Sequence, residues 1–254
     1  MPGVVVADRA LRSDVRSRPR PGARGTGAAA LALLYGALLV AVVARSPVVD
    51  LDSAVLRWAP AAHWPQLFPA LSVWVLLGQR AVCLAIAGTW LAVRAVRSGD
   101  PRPVLTLGVV TLLLDGTVGV VKTALGRQGP LELGAAALRP GGSAVFDGGT
   151  LFPSGHTANA VVTWGLLALL ARHHRRLWAV LAGLVAASVG LTTVYLGTHW
   201  LSDVVAGWAA GGLVLLAVPA LAPVVDRLER PVARLLHRRR GAGGRDVDGV
   251  RIAS

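Results

Sequence analysis

The chain has 254 residues, of which 54% are apolar, 15% are charged and 5% are aromatic. Soluble domains carry about a quarter charged residues, so this composition excludes that class and points to a membrane protein. The net charge of +13 does not make it a nucleic-acid binder, because the basic residues lie between long apolar runs and form no basic face on a soluble domain.

In chain order, residues 1–26 form a basic tail rich in Arg, Gly and Pro and are expected to be disordered. A bilayer core takes about 20 apolar residues as helix. Six runs approach that length, at residues 27–45, 79–96, 103–121, 156–171, 177–197 and 201–222. The run at 156–171 is short, and the last contains Asp203 near its start. Val42-Val43-Ala44 resembles a signal-peptide cleavage site, but the long basic stretch before the first run and the length of that run argue for a retained span. Residues 49–78 interleave Val49, Leu51, Val55 and Leu56 with Asp50, Asp52 and Arg57, the pattern of one or two helices lying at the interface. Residues 223–254 form a second basic tail, again expected to be disordered. The fold class expected is an all-α membrane protein, with six transmembrane helices in a domain at 27–222 and short interfacial helices.

Orientation follows from the basic residues. With a cytoplasmic N-terminus, 20 of the 26 fall on the cytoplasmic side and six, Arg45, Arg57, Arg80, Lys122, Arg127 and Arg139, on the other. That asymmetry places both termini in the cytoplasm. Trp58, Trp64, Trp178 and Trp200 lie near the expected span ends, as interfacial anchors do. Cys83, the single cysteine, has no partner for an intrachain disulfide or a cysteine metal cage and reads as core or lipid-facing filler. Gly207 and Gly211 form a Gly-x-x-x-Gly pair, the signature of close helix packing.

Chemistry-bearing residues gather on the outer side. Span three ends in Asp115, Lys122 and Gly126-Arg127-Gln128-Gly129-Pro130, and span four follows Phe152-Pro153-Ser154-Gly155-His156. Spans five and six are joined by Tyr195-Leu196-Gly197-Thr198-His199-Trp200-Leu201-Ser202-Asp203. This set suits phosphate. Ser154 caps a helix whose free N–H groups and dipole favour an anion, and Lys122 and Arg127 add cationic donors. His199 and Asp203, four apart on a helix start, share a face, so the carboxylate orients an imidazole able to attack phosphorus. His156 is placed to protonate the leaving oxygen. Asp115 shares a helical face with Lys122 and reads as its buried partner.

These segments resemble the three signature motifs of the type 2 phosphatidic acid phosphatase superfamily, the integral-membrane lipid phosphate phosphatases. The resemblance covers residues 50–215 and rests on Lys122, on Pro153-Ser154-Gly155-His156 and on Tyr195-Leu196-Gly197-Thr198-His199 with Asp203. It implies hydrolysis through a phosphohistidine without metal or cofactor. His199 would be the nucleophile, Asp203 its partner, His156 the acid and then the base for water. Lys122, Ser154 and Gly155 would hold the phosphate of a lipid phosphate or diphosphate, at the outer face of a bacterial cytoplasmic membrane.

Two positions depart from the family pattern. Gly129 and Thr193 stand where the family has arginines that contact the phosphoryl oxygens. Arg127, two residues before Gly129, and Arg139, in an intact Arg139-Pro140 pair, are the candidate replacements. A lipid-phosphate binding or transport protein without efficient hydrolysis is the alternative reading, and a lipid phosphotransferase is another.

Overall fold

The computed structural model describes residues 21–171 and 173–231. The tails at 1–20 and 232–254, expected to be disordered, lie outside the described residues. Residues 21–26 and 223–231, which the sequence assigned to those tails, are helical.

Among the described residues the fold is all-helical, with one isolated bridge, Arg127 to Phe146. Helix α1 is Pro21–Val43 and α2 is Pro47–Trp58. Short helical turns lead through Phe68–Trp74 and Val75–Gly78 to α3, Arg80–Ser98, which carries a π-helical turn at Leu84–Gly88. Then come α4 (Arg102–Leu125), α5 (Gly155–Leu170), α6 (Arg175–Tyr195) and α7 (Leu201–Ala217), whose helical course continues to Pro231. Helices α1, α3, α4, α6 and α7 are long and apolar enough to cross a membrane. With 16 residues, α5 is shorter; at 1.5 Å per residue it measures about 24 Å against a hydrocarbon core of about 30 Å.

Helix α5 owes its place to its sequence. Ala158, Ala160, Val162 and Leu166 are buried, and a helix apolar all round belongs in an interior. The Gly207 and Gly211 pair brings α7 against it. A Cβ at Gly207 would lie 2.7 Å from the Ser154 carbonyl oxygen, and one at Gly211 would lie 2.7 Å from Val161 Cβ. At one end of the bundle Gly27 of α1 meets Leu216 of α7. At the other, Val42 packs with Phe152 and Ala206. That second end collects the start of α3, the end of α4 and the starts of α5 and α7.

The 49–78 stretch contains α2 and the turns after it, and these do structural work. Trp164 Nε1 and Cys83 Sγ both donate to the Leu77 carbonyl, Trp74 Nε1 donates to Ser188 Oγ, and Tyr195 Oη donates to the Trp64 carbonyl. Cys83 is buried core. Trp58, Trp64 and Trp178 are exposed, as anchors should be, but Trp200 is not. It is buried, with its indole N–H on the Gln128 carbonyl.

Candidate active site

Three helix ends deliver the residues that the sequence singled out. Lys122 sits in the last turn of α4, which closes with Gly126 in the left-handed conformation. Its Nζ donates to the Thr150 carbonyl at 2.6 Å. His156 lies in the first turn of α5, whose cap is Ser154. Gly197, at φ 66°, turns the chain from α6 toward α7, and the Thr193 carbonyl accepts from Thr198 N, His199 N and Thr198 Oγ1. His199 is thereby pinned before α7 begins.

A cleft of about 710 Å³ opens at this end, lined by Gln79, Arg80, Lys122, Gly155, His156 and His199 among others. The His156 and His199 rings stand edge to face with centroids 6.2 Å apart. Gly155 leaves room for Lys122, whose Cε would lie 3.4 Å from a Cβ there. The cleft therefore presents two imidazoles, cationic side chains and a helix start, a combination that binds an anion and can exchange protons with it.

Behind His199 lies a buried charge network. His199 Nδ1 is 3.4 Å from Asp203 Oδ2, which also accepts from Trp200 N at 3.2 Å. Asp203 Oδ1 accepts from Arg127 Nη1 at 2.6 Å, and Asp52 Oδ2 accepts from Arg127 Nη2 at 2.7 Å. Arg127 completes its set with Ser143 O, Ser143 Oγ and Ser202 Oγ. Five N–H groups meet five acceptors, which is all that a guanidinium has. Arg127 and Asp203 are both 0% exposed. Asp52 also accepts from Ser202 N and Ser202 Oγ. Burial pushes its carboxyl above the ordinary range, while Arg127 and the Ser202 donors pull it back. The contacts run from Asp52 through Arg127 and Asp203 to His199, which lines the cleft.

The expected site divides accordingly. Lys122, Gly155, His156 and His199 line one cleft, and Asp203 stands directly behind His199. At four residues the geometry departs from the sequence expectation. Arg127, expected at the phosphate, is committed to Asp203 and Asp52, whose buried carboxylates complete its acceptor set with Ser143 and Ser202. Ser154 is buried, with its Oγ accepting from Thr157 N and Thr157 Oγ1 as the α5 cap, so its hydroxyl does not line the cleft. Arg139 is exposed at the end of the Gly134–Leu138 turn and is not among the residues lining the cleft. Asp115 pairs with Arg80 at 2.6 Å, not with Lys122. At the two departures from the family pattern, Gly129 starts a short turn and Thr193 Oγ1 donates to the Gly190 carbonyl, so neither brings a cation.

Sequence reasoning missed Asp52, Arg80 and Ser202. The signal for Asp52 was a lone carboxylate on the face of α2 that also carries buried Val49 and Ser53. For Arg80 it was membership of the short roll of cations assigned to the outer side.

Residues 103–226 match the family model of the PAP2 superfamily. Phosphatidylglycerophosphatase B of Bacillus subtilis strain 168 is 33% identical over 86 residues, 31% of this chain and 42% of that protein. Undecaprenyl-diphosphatase of Sulfolobus acidocaldarius is 36% identical over 63 residues, 25% of this chain and 29% of that one. The chain thus spans less than half the length of these curated relatives. The crystal structure of a transmembrane PAP2 type phosphatidylglycerolphosphate phosphatase from Bacillus subtilis superposes with a TM-score of 0.60 at 24% identity, covering 77% of this chain and 96% of that one. That likeness shows a shared transmembrane fold. The stretch that matches the PAP2 superfamily model, residues 103–226, holds Lys122, His156, His199 and Asp203.

Proposed function

We propose that the protein is a membrane phosphatase that removes phosphate from a lipid phosphate or diphosphate through a phosphohistidine on His199. The observation that carries this reading is the pair of imidazoles in one cleft, only one of which is backed by a buried carboxylate. Asp203 accepts a hydrogen bond from His199 Nδ1–H, which fixes the tautomer that leaves the Nε2 lone pair free to attack phosphorus. As the N–P bond forms, the bond from phosphorus to the lipid oxygen breaks. The bound phosphate anion favours the protonated form of His156, which gives its proton to that oxygen. Water then attacks the phosphohistidine, His156 takes its proton, and the N–P bond breaks to release phosphate. Lys122 balances charge on the phosphoryl oxygens. The cations and histidines present supply what this route needs without metal or cofactor.

The substrate class follows from the match to the PAP2 superfamily model and from relatives named for phosphatidylglycerophosphate and undecaprenyl diphosphate. We further propose six spans, with α5 as the sixth, shielded by its neighbours. Both termini then face the cytoplasm of a bacterial cell and the cleft faces outward, as the distribution of basic residues supports. The phosphatase domain at 27–222 is part of the same proposal.

A lipid-phosphate binder without hydrolysis is the second reading, favoured by the absence of a cation at Gly129 and Thr193. Phosphate release by the purified chain from phosphatidic acid, phosphatidylglycerophosphate and farnesyl diphosphate, compared with His199→Ala, separates the two. Release above the variant on at least one substrate is expected. Equal, background release on all three would leave the binder.

A further inference from the structure

We infer that Arg80, which belongs to none of the three motifs, is a phosphate-binding residue of this cleft and works beside Lys122. The inference rests on the phosphatase reading above and adds to it a residue from a different helix.

Several independent contacts aim Arg80 at the site. The Leu77 carbonyl is fastened by Trp164 Nε1 at 2.9 Å and by Cys83 Sγ at 3.1 Å. Gly78 lies so close to α5 that a Cβ would come within 2.6 Å of the His156 carbonyl oxygen. Gln79 is extended, and α3 then starts at Arg80. The chain is thus laid against the backbone of a site histidine immediately before the arginine, and Gln79 and Arg80 line the cleft with His156 and His199.

The Arg80 side chain is 56% exposed and gives Asp115 one contact, from Nη2 to Oδ1 at 2.6 Å. A guanidinium has five N–H groups in a fixed fork, so most of its donors stay available while Asp115 holds one edge. Arg127, by contrast, has none to spare. Planar guanidinium and phosphate oxygens match in bidentate geometry, and among the described residues no other arginine lines the cleft. The competing explanation is that Arg80 only neutralises Asp115, a carboxylate costly within a span.

The two explanations differ in a double variant. Arg80→Gln with Asp115→Asn removes both charges together, so a merely neutralising arginine becomes dispensable. Full-length wild type, Arg80→Gln, Arg80→Lys and the double variant are compared for kcat/KM on phosphatidic acid, and for orthovanadate affinity by titration calorimetry. Loss of a charge-assisted contact predicts a drop of about 10- to 150-fold in kcat/KM for Arg80→Gln, with weaker vanadate binding. The double variant is expected to stay impaired, and Arg80→Lys to recover part of the loss. A double variant with wild-type kcat/KM and vanadate affinity would overturn the inference, as would an Arg80→Gln within twofold of wild type in both. Should wild type release no phosphate, the phosphatase reading fails and vanadate affinity decides this inference alone. Binding that weakens in Arg80→Gln and in the double variant supports it. Unchanged affinity, or no binding, overturns it.

Discussion

Arg127 donates to Asp203 at 2.6 Å inside the protein, so an arginine that chain position places near the substrate acts instead on the residue behind His199, the proposed nucleophile. With Asp52 on its other side, it ties α2 to the start of α7 across the bundle. A guanidinium with five satisfied donors is rigid, and that rigidity passes through Asp203 to His199.

Removing Arg127 strands two buried carboxylates. Breaking such a network from one side costs about 3–5 kcal/mol, so Arg127→Met is expected to lower the thermal midpoint by many degrees. Arg127→Lys should rescue little, because one ammonium replaces a five-donor fork. Thermal unfolding in detergent checks both; a lysine variant as stable as wild type would contradict the network's role.

His156 is assigned to the leaving oxygen, so its loss should depend on the leaving group. His156→Gln is expected to lower kcat on phosphatidic acid by about 10²–10⁴-fold, and much less on p-nitrophenyl phosphate, whose phenolate departs without a proton. Parallel kinetics on the two substrates test this, and equal losses would remove His156 from that role.

Gly207 sets the distance between α5 and α7. A Cβ there would meet Ser154 O at 2.7 Å and Thr157 Cβ at 2.9 Å, both part of the α5 cap. Overpacking of this kind costs about 1–3 kcal/mol. Gly207→Ala should therefore lower the unfolding midpoint and the activity together, whereas Gly183→Ala, where a Cβ meets nothing within 4 Å, should leave both near wild type.

Orientation is open to direct labelling. In a Cys83→Ala background, Arg139→Cys is exposed and close in sequence to the site loops. An impermeant maleimide should label it in intact cells if the cleft faces outward. Labelling only after lysis would reverse the proposed topology.

Much of this architecture was legible in the residues. The apolar runs mark the helices, and the four-residue spacing of His199 and Asp203 places them together, because both readings depend on local periodicity. The Gly207 and Gly211 pair likewise packs as its spacing implies. Partner choice was not legible. Asp115 and Lys122 share a helix face at a separation of seven, yet Lys122 bonds to the Thr150 carbonyl and Arg80 arrives from α3 to take the carboxylate. Arg127 turns inward because Asp52, 75 residues earlier, waits there, and no window of sequence around Arg127 contains that fact. Trp200 is buried for the same reason: its indole packs 5.7 Å from the Arg127 guanidinium, over a network that only the tertiary fold assembles.

The proposed chemistry depends on His199 as the nucleophile. Rapid quenching of the enzyme with phosphatidic acid into alkali, which preserves phosphohistidine, followed by peptide mass spectrometry, tests this most directly. A phosphoryl group on the peptide containing His199, absent from His199→Ala, is the predicted result. Turnover with no phosphorylated His199 at any quench time, or a phosphoryl group on another residue, would contradict it.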